Sequence, residues 1–412
     1  MRFGVDIEGQ FIRMTGIQHY VDGLLRGLFS LTTEHDIRAF ALRLPSRDAI
    51  EKTAAARPGT FSWSEMPHAR ADCGHPWICL PESFSKDHPY LSQRIAEAEI
   101  RIRSEFPGGS VNRSAKYDVL HYPQPAGIVR ARLKPKQSVA TIYDLSTLRF
   151  PEAFPEGIVA LWDDYYAFVK RRCARVIAIS QATRDEIVDR LGIPSDRIDV
   201  TPLAPRVSTR HLPDSPERAD LLRACGVNGD EPFVLYAGTL EPRKNLSRLV
   251  RAFALVLESN PDLPHRLVLA GGSWGDHHRE IEEVARHAGL PLDRLLLTGY
   301  VSNPQVNALM SACRVFVYVS LYEGFGLPPL EAMVCGAPVI VSNTSSLPEV
   351  VGNAGFTVDP LDEAALAGAI LRVLSDETEN RRRREESFAH AANFCWTTTA
   401  ELTLRSYEAA AA

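Results

Sequence analysis

The sequence lacks a disulfide framework, a membrane-spanning run and a signal peptide. Its 412 residues include seven cysteines, and an odd number scattered along a long chain does not form such a framework. No stretch approaches the roughly 18 apolar residues that cross a membrane, and the first residues read as a strand interrupted by charges. We therefore expect a protein of the reducing cytoplasm.

Recognisable metal and cofactor patterns are also missing. Cys73, His75 and Cys79 have no recognised spacing and no further ligand pair nearby, so ordinary thiols are favoured over zinc. No D-x-D triplet occurs, although such carboxylates commonly hold a divalent metal on a diphosphate. No G-x-G-x-x-G fingerprint occurs either, which weakens a dinucleotide-dependent dehydrogenase. We expect neither a metal nor a cofactor.

An excess of positive charge is absent. The formal net charge is -5 and the pI is about 6.2, so no broad basic surface is expected to attract nucleic acid. The clearest basic run, Arg381 to Arg384, is followed by Glu385 and Glu386, a pattern typical of a solvated helix face. A membrane-surface role for this run is the lesser alternative.

What the chain does contain is an alternation of short apolar strands and helical patterns. With 45% hydrophobic and 24% charged residues over this length, two or three globular domains are expected. Strand candidates in the first half are 3–7, 37–42, 119–122, 139–143, 176–179 and 198–201. Those in the second half are 233–237, 267–269, 295–298, 315–319 and 339–341. Strands separated by helices predict an α/β class with two doubly wound parallel sheets.

A connection rich in proline and arginine separates the two halves at 205–216, which is typical of an interdomain segment. We expect an N-terminal domain over 1–205, a C-terminal domain over 206–395, and a final helix over 396–412. A stretch of the first domain at about 57–113 is proline-rich and charged, so it is predicted to be an insertion.

The most informative stretch runs from Ser320 to Pro338. It places Glu323 in a loop with two glycines, and Glu331 on a helix predicted to start at two prolines. Glycine lets the backbone approach a ligand, and proline presets a first helical turn whose free N–H groups attract anions. Isolated carboxylates are ordinarily solvated, but the complete string predicts a site for a phosphorylated sugar.

A second stretch, from Tyr236 to Leu246, supplies positive charge. Arg243 and Lys244 fall on a predicted strand-to-helix loop, where Asn245 can cap the helix. Such cations stabilise the negative charge of a departing diphosphate. An Arg-Lys pair alone is usually a surface feature. A role in binding phosphate is therefore inferred only because the chain also contains the stretch from Ser320 to Pro338.

The first stretch closely resembles the E-x7-E motif of retaining GT-B glycosyltransferases of family 4, also called group 1, and the resemblance extends over most of the chain. It implies two Rossmann-like domains facing an interdomain cleft, with the final helix packing back on the first domain. By motif position it implies that Glu323 contacts the donor hexose and Glu331 holds the nucleotide ribose. A subgroup with the Glu-Pro-Arg-Lys-Asn variant resembles this chain and includes mannosyltransferases acting on polysaccharides.

The resemblance assigns further residues to the site. His121 matches a histidine near the donor sugar in relatives, although a lone strand-end histidine is more often structural. Asp144 is either an acceptor or sugar contact, or simply a turn residue. Groups expected around the donor belong to Gly16, Gly271, Val301, Gly324, Phe325, Gly326 and Leu327.

Three positions depart from the family pattern. Thr15 stands where a glycine is usual, and Thr239 stands where many members place an arginine that Arg243 could replace. Tyr143 stands where related sequences commonly have histidine, so no general base is assumed there.

The expected activity is retaining transfer of a hexose, with mannose from GDP-mannose favoured, to a growing glycan or lipid-linked saccharide. Metal-independent front-face displacement is the expected course, with Lys244, Arg243, Glu323, His121 and Asp144 at the reaction. A GT-B sugar-nucleotide hydrolase or epimerase, and a non-catalytic carbohydrate-binding protein, stay open as alternatives. The expected partners are the donor and the acceptor, not nucleic acid. Peripheral contact with the inner face of the membrane and the oligomeric state stay open.

Overall fold

The computed structural model describes residues 1–6, 16–31, 33–41, 72–73, 117–125, 136–228, 231–273 and 276–412. They form two compact units: unit 1 comprises Met1–Ala204 and Trp396–Ala412, and unit 2 comprises Pro205–Cys395. Outside the described residues lie Thr15, His75, Cys79 and all of the predicted insertion at 57–113 except residues 72 and 73.

Unit 1 is built on a parallel sheet. Its described strands are β1 (Arg2–Asp6), β2 (Asp36–Ala41), β3 (Asp72–Cys73), β4 (Val119–Tyr122), β5 (Gln137–Ile142), β6 (Arg175–Ala178) and β7 (Ile198–Val200). They follow the order β3-β2-β1-β4-β5-β6-β7, and each neighbouring pair is parallel. The central strand β4 is buried at every position, as expected where helices cover both faces. The chain order reverses between β1 and β4, which is the switch point of a doubly wound sheet.

The helices of unit 1 connect these strands. In the first part of the chain they are α1 (Gly16–Ser30), α2 (Ser146–Arg149), α3 (Glu156–Arg172) and α4 (Gln181–Glu186). The start of α4 is fixed by Ser180, whose Oγ accepts a hydrogen bond of 3.0 Å from the Thr183 N–H. This side-chain cap satisfies an N–H that the helix itself leaves without a partner.

Unit 2 contains a second parallel sheet. Its strands are β8 (Phe233–Ala237), β9 (Arg266–Ala270), β10 (Leu295–Gly299), β11 (Val315–Tyr318), β12 (Val339–Ser342) and β13 (Phe356–Val358). They follow the order β10-β9-β8-β11-β12-β13, and the pairs are again parallel. The switch point lies between β8 and β11, so the loops that follow these two strands are neighbours at one edge of the sheet.

The helices of unit 2 alternate with its strands. They are α5 (Pro216–Arg223), α6 (Leu246–Ser259), α7 (His277–His287), α8 (Asn303–Ala312), α9 (Leu327–Val334), α10 (Leu347–Val351), α11 (Glu363–Ser375) and α12 (Glu377–Ala391). In α6, Leu249, Val250, Phe253 and Val256 are all buried. This spacing is the apolar stripe of a helix that covers a sheet. The predicted α/β class with two doubly wound parallel sheets is therefore confirmed.

The last helix, α13 (Trp396–Ala411), belongs to unit 1 and packs on α1. The two backbones approach closely because α1 presents glycine at positions 23 and 27. A Cβ on Gly23 would lie 2.0 Å from the Trp396 ring, and one on Gly27 would lie 2.3 Å from the Trp396 carbonyl oxygen. Further along α13, Tyr407 is fully buried. The sheet of unit 1 is thus covered in part by residues that follow unit 2 in the chain.

The basic run in α12 is only partly solvated. Arg381 and Arg382 are exposed, whereas Arg383 and Arg384 are half-buried. The Arg384 guanidinium donates to the carbonyl oxygens of Ser311, Cys313 and Gly336, which lie at or just beyond the ends of α8 and α9. A guanidinium in this position satisfies carbonyls that a helix end leaves unpaired. The expectation of a solvated face is wrong for the second half of the run.

Candidate functional site

Two loops meet at the switch point of unit 2. The first follows β8 and forms a short turn at Pro242–Lys244, and the second follows β11 and leads into α9. The Leu321 N–H donates to the Arg243 carbonyl oxygen at 2.9 Å. Asn245, with a left-handed φ of 61°, donates through Nδ2 to the Val319 carbonyl oxygen at 3.1 Å. These bonds hold the Arg-Lys motif and the first glutamate of the E-x7-E motif side by side.

A buried ion pair joins the two loops. The Lys244 Nζ lies 2.5 Å from Glu323 Oε1, and the two side chains are 8% and 12% exposed. The same Nζ donates to the Tyr318 hydroxyl at 2.8 Å, and that hydroxyl donates to Glu323 Oε1 at 3.0 Å. Glu241 Oε1 lies 3.7 Å from Nζ, beyond hydrogen-bond distance. Two of the three ammonium hydrogens therefore have described partners.

Arg243 contacts the other oxygen of the Glu323 carboxylate. Arg243 Nη1 lies 3.2 Å from Glu323 Oε2 and donates to the Tyr322 carbonyl oxygen at 2.5 Å. Its Nη2 donates to Glu241 Oε1 at 2.7 Å. Two cations thus face two carboxylates, and the cluster is formally neutral. The sequence indicated the cations but not that Glu241 and Glu323 would balance them.

The cluster fixes the charge of Glu323. Burial opposes ionisation, but the attraction of Lys244 and Arg243 outweighs it and lowers the pKa of Glu323 to about 2. The side chain is therefore an ionised hydrogen-bond acceptor at neutral pH. An oxygen already held by a cation is a weak nucleophile, which favours a binding role for this carboxylate.

The loop that carries Glu323 is held by two serines. The Ser345 hydroxyl accepts from the Glu323 N–H at 3.0 Å, and the Ser346 hydroxyl lies 2.6 Å from the Phe325 carbonyl oxygen, to which it donates. Gly326 has a φ of 121°, and a Cβ there would lie 2.8 Å from the Leu347 side chain. Only glycine fits this position without strain. Gly324 and Leu327, also predicted at the donor, lie in this loop and at the start of α9.

The second glutamate of the motif lies on α9 and is paired with an arginine that sequence reasoning missed. Glu331 is 2% exposed. Arg206 Nε donates to its Oε1 and Nη2 to its Oε2, both at 2.5 Å. Arg206 is in the Pro- and Arg-rich connection, where its sequence context gave no sign of a partner on α9.

The two remaining donor-side predictions of unit 2 lie at ends of neighbouring strands. Gly271 follows β9, and a Cβ there would lie 1.9 Å from the Gly238 carbonyl oxygen, so only glycine lets these two strand ends approach. Val301 lies just beyond β10 and is half-buried, between Tyr300, which is 86% exposed, and the first residues of α8. Both residues thus share the carboxyl edge of the sheet with the two loops.

The candidates of unit 1 are not grouped in the same way. Asp144 Oδ1 accepts from the Ser146 N–H at 2.8 Å and from the Ser146 hydroxyl at 2.6 Å, which is a turn-forming arrangement. Gly16 is the first residue of α1, and residues 7–15, directly before it, lie outside the described part of the chain. The Tyr143 hydroxyl is buried and has no hydrogen-bond partner among the described residues.

His121 lies in the core of unit 1 and is fully buried. Its Nδ1 is 2.8 Å from the Tyr407 hydroxyl on α13, and its Nε2 is 2.8 Å from the Thr141 hydroxyl on β5. Burial lowers the pKa of His121 to about 3, so the ring is neutral at physiological pH. These contacts support the structural alternative for this histidine.

The shifted pKa of His121 predicts an acid-sensitive fold. In the unfolded chain the His121 ring takes up a proton below its ordinary pKa of about 6.5, whereas the native ring stays neutral until about pH 3. The free energy of unfolding therefore falls as the pH falls through this window. His121→Gln should remove the contribution of His121 to this dependence, which is about 1.4 kcal/mol of unfolding free energy per pH unit. Urea unfolding at several pH values from 7 to 4 measures it, and identical pH slopes in the two proteins would contradict the assignment.

Neither a metal cluster nor a spanning helix is found in the part of the chain that the structure describes. No three His, Cys, Asp or Glu side chains there are placed to hold a metal ion together. No helix among those residues is long and apolar enough to cross a membrane.

Comparison with known proteins covers both units. The family described as "Glycosyl transferases group 1" matches residues 218–390, and the one described as "Glycosyltransferase Family 4" matches residues 14–204. The O-antigen chain mannosyltransferase B of Escherichia coli is 34% identical over 276 residues, which is 66% of this chain and 70% of that protein.

One further relative and one solved structure match different shares of the chain. The serotype-specific mannosyltransferase WbdA of Escherichia coli is 34% identical over 236 residues, which is 57% of this chain but only 29% of that longer protein. Among solved structures, sucrose-phosphate synthase from Thermosynechococcus elongatus has a TM-score of 0.66 and 21% identity, over 99% of this chain and 98% of that one. At this identity the structural match shows the fold alone.

Proposed function

The chain belongs to the group 1 glycosyltransferases with a GT-B fold, and on this premise we propose that it is a retaining enzyme that transfers mannose from GDP-mannose. The acceptor that we propose is a growing glycan or a lipid-linked saccharide. Two relatives at 34% identity are both named mannosyltransferases. They support the choice of hexose, and with it of GDP-mannose as the donor.

The observation that carries the proposal is the cluster of Lys244, Arg243 and Glu323 at the switch point of unit 2. A sugar nucleotide leaves its diphosphate behind as an anion, and charge on that anion grows as the sugar bond breaks. Fixed cations stabilise this growing charge more than they stabilise the bound donor, which is the requirement for catalysis. Glu323 and the Tyr318 hydroxyl take up two of the three Lys244 ammonium hydrogens, and in this proposal the third is donated to a phosphate oxygen.

The proposed step is a front-face displacement. The bond between the anomeric carbon and the diphosphate oxygen breaks with its electron pair on that oxygen. The acceptor hydroxyl oxygen forms the new bond on the same face, and its proton passes to the departing phosphate. Glu323 accepts hydrogen bonds from donor hydroxyls and forms no covalent intermediate, because cations hold both of its oxygens.

The remaining parts of the donor receive their own contacts in this proposal. Glu331 would accept hydrogen bonds from the ribose hydroxyls. Its Oε1 already accepts two described hydrogen bonds and its Oε2 one, and the two oxygens together can accept about four. Backbone groups of Gly271, Val301 and the 324–327 loop would line the nucleotide and hexose. The contacts of His121 and Asp144 support a structural role in unit 1 for both residues.

A donor screen tests the proposal. A ligand present at 100 times its Kd stabilises the native state by about 2.7 kcal/mol, so GDP-mannose should raise Tm more than UDP- or ADP-sugars do. Turnover of GDP-mannose, measured with EDTA throughout because we propose metal-independent transfer, should require an acceptor and give a product with the donor's anomeric configuration. Stabilisation by UDP-sugars alone would overturn the donor choice. Free mannose formed equally fast without acceptor would favour a hydrolase.

A further inference from the structure

The partner of Glu331 comes from outside both sequence motifs. Arg206 is the second residue of unit 2, and the pair spans 125 positions of the chain. The arginine side chain is 22% exposed and the glutamate side chain 2%. In addition to the two side-chain bonds, the Arg206 N–H lies 3.3 Å from Glu331 Oε1. Main chain and side chain of one residue therefore converge on one carboxylate.

Arg206 is itself held in place. Its Nη1 donates to Asn303 Oδ1 at 3.0 Å on the first turn of α8. The Asn307 Nδ2 on the next turn donates to the Ser208 carbonyl oxygen at 2.8 Å. The Leu212 N–H donates to the Ser311 hydroxyl at 2.9 Å. The segment 206–212 is thus attached along α8, and the guanidinium cannot turn away from Glu331 without breaking its bond to Asn303.

A bidentate guanidinium does two things to a buried carboxylate. It supplies the counter-charge without which a buried carboxylate is strongly unfavourable. Its planar fork also fixes the plane of the carboxylate, which an ammonium group cannot do. A pair of vicinal hydroxyls, as in ribose, needs acceptor oxygens at fixed positions to receive both protons.

We propose that Arg206 is a positioning residue that orients Glu331 to recognise the hydroxyls of a nucleotide ribose. The inference rests on the proposed function, because it takes Glu331 as the ribose ligand. It adds that recognition depends on a guanidinium from the segment that leads into unit 2, and that a lysine at this position would not serve equally well.

Binding of GDP and of 2′,3′-dideoxy-GDP, measured by calorimetry, tests the proposal. A hydrogen bond to a charged group is strong enough that its loss weakens binding about tenfold to a hundredfold, so the wild type should prefer GDP by at least tenfold. Arg206→Met should reduce that preference to about threefold or less while the Kd for the dideoxy analogue changes little. Arg206→Lys should give an intermediate preference. Arg251→Met, which breaks the ion pair with Glu363 on α11, is the matched control and should keep the full preference.

The outcomes separate the two proposals. Full GDP preference in Glu331→Gln, or no wild-type binding of GDP, would count against the proposed function; in the latter case the series is repeated with UDP and its dideoxy analogue. Loss of preference in Glu331→Gln with full preference in Arg206→Met would overturn only the positioning role. Equal weakening of both ligands in Arg206→Met would show a merely structural arginine. If Arg206→Met does not fold, full preference in Arg206→Lys overturns the proposal.

Discussion

Lys244→Ala is expected to lower kcat by about 10²- to 10³-fold, the effect of removing one fixed donor from a developing oxyanion. The loss should appear mainly in kcat, since the charge that the ammonium stabilises grows towards the transition state. Steady-state kinetics with GDP-mannose and an acceptor measure the loss. Arg243 keeps its place beside Glu323 at 3.2 Å, so the variant should retain measurable turnover.

The same substitution should also reduce stability, and a second variant separates the two effects. Lys244 is 8% exposed and is the nearest counter-ion of Glu323. Removing one partner of a buried pair costs on the order of 3 kcal/mol. Lys244→Ala combined with Glu323→Gln leaves no unpaired charge at this point, so it should regain part of the lost stability in urea unfolding. It should not regain turnover. A folded Lys244→Ala protein with the wild-type kcat would refute the phosphate role.

A chain that ends at Cys395 is expected to lose the cooperative unfolding transition of unit 1. The buried residues of α13 that would be missing are Thr399, Ala400, Thr403, Ser406, Tyr407 and Ala410. Removal of a single buried aromatic side chain costs about 3–5 kcal/mol, and a whole domain has only about 5–15 kcal/mol of stability. Loss of the helix therefore exceeds what unit 1 can tolerate. Calorimetry or limited proteolysis should show unit 2 still folded and unit 1 not.

Two glycine substitutions, one a test and the other its control, probe the packing of α13 on α1. Alanine in place of a helical glycine normally stabilises by about 0.5–1 kcal/mol. Gly368→Ala on α11 should do so, because a Cβ there would meet nothing within 4 Å. Gly27→Ala on α1 should instead destabilise, because its Cβ would lie 2.3 Å from the Trp396 carbonyl oxygen. Stabilisation by both substitutions would show that α13 does not pack on α1 as described.

The features that could be predicted from the sequence are those that depend on residues close together in the chain. All described strands except β3 and β13 follow from runs of apolar residues, and the loop around Glu323 follows from its glycines and prolines. Side-chain periodicity reports which face of an element is buried, because it repeats within a few residues. The order of strand and helix then placed the Arg-Lys loop and the Glu323 loop at one sheet edge.

What could not be predicted depends on partners distant in sequence. The ring of His121 is held by Tyr407, 286 positions later, and Glu331 is held by Arg206, 125 positions earlier. No local pattern marks Tyr407 or Arg206 as the partner of these residues. The same holds for Arg384, which looked like part of a solvated run because the carbonyls it satisfies belong to other helices. The local sequence shows where charged residues lie in the chain. The groups that neutralise them can be identified only from the tertiary structure.

The discontinuity of unit 1 has a consequence for biosynthesis. Unit 2 is one continuous segment, Pro205–Cys395, whereas unit 1 needs Trp396–Ala412 as well. A ribosome therefore delivers all of unit 2 before it delivers the helix that completes unit 1. Until then α1 exposes the glycine-lined surface that α13 will cover, and chaperones or proteases can bind that surface. Although unit 1 begins to emerge first, it should be the second of the two to reach its native state.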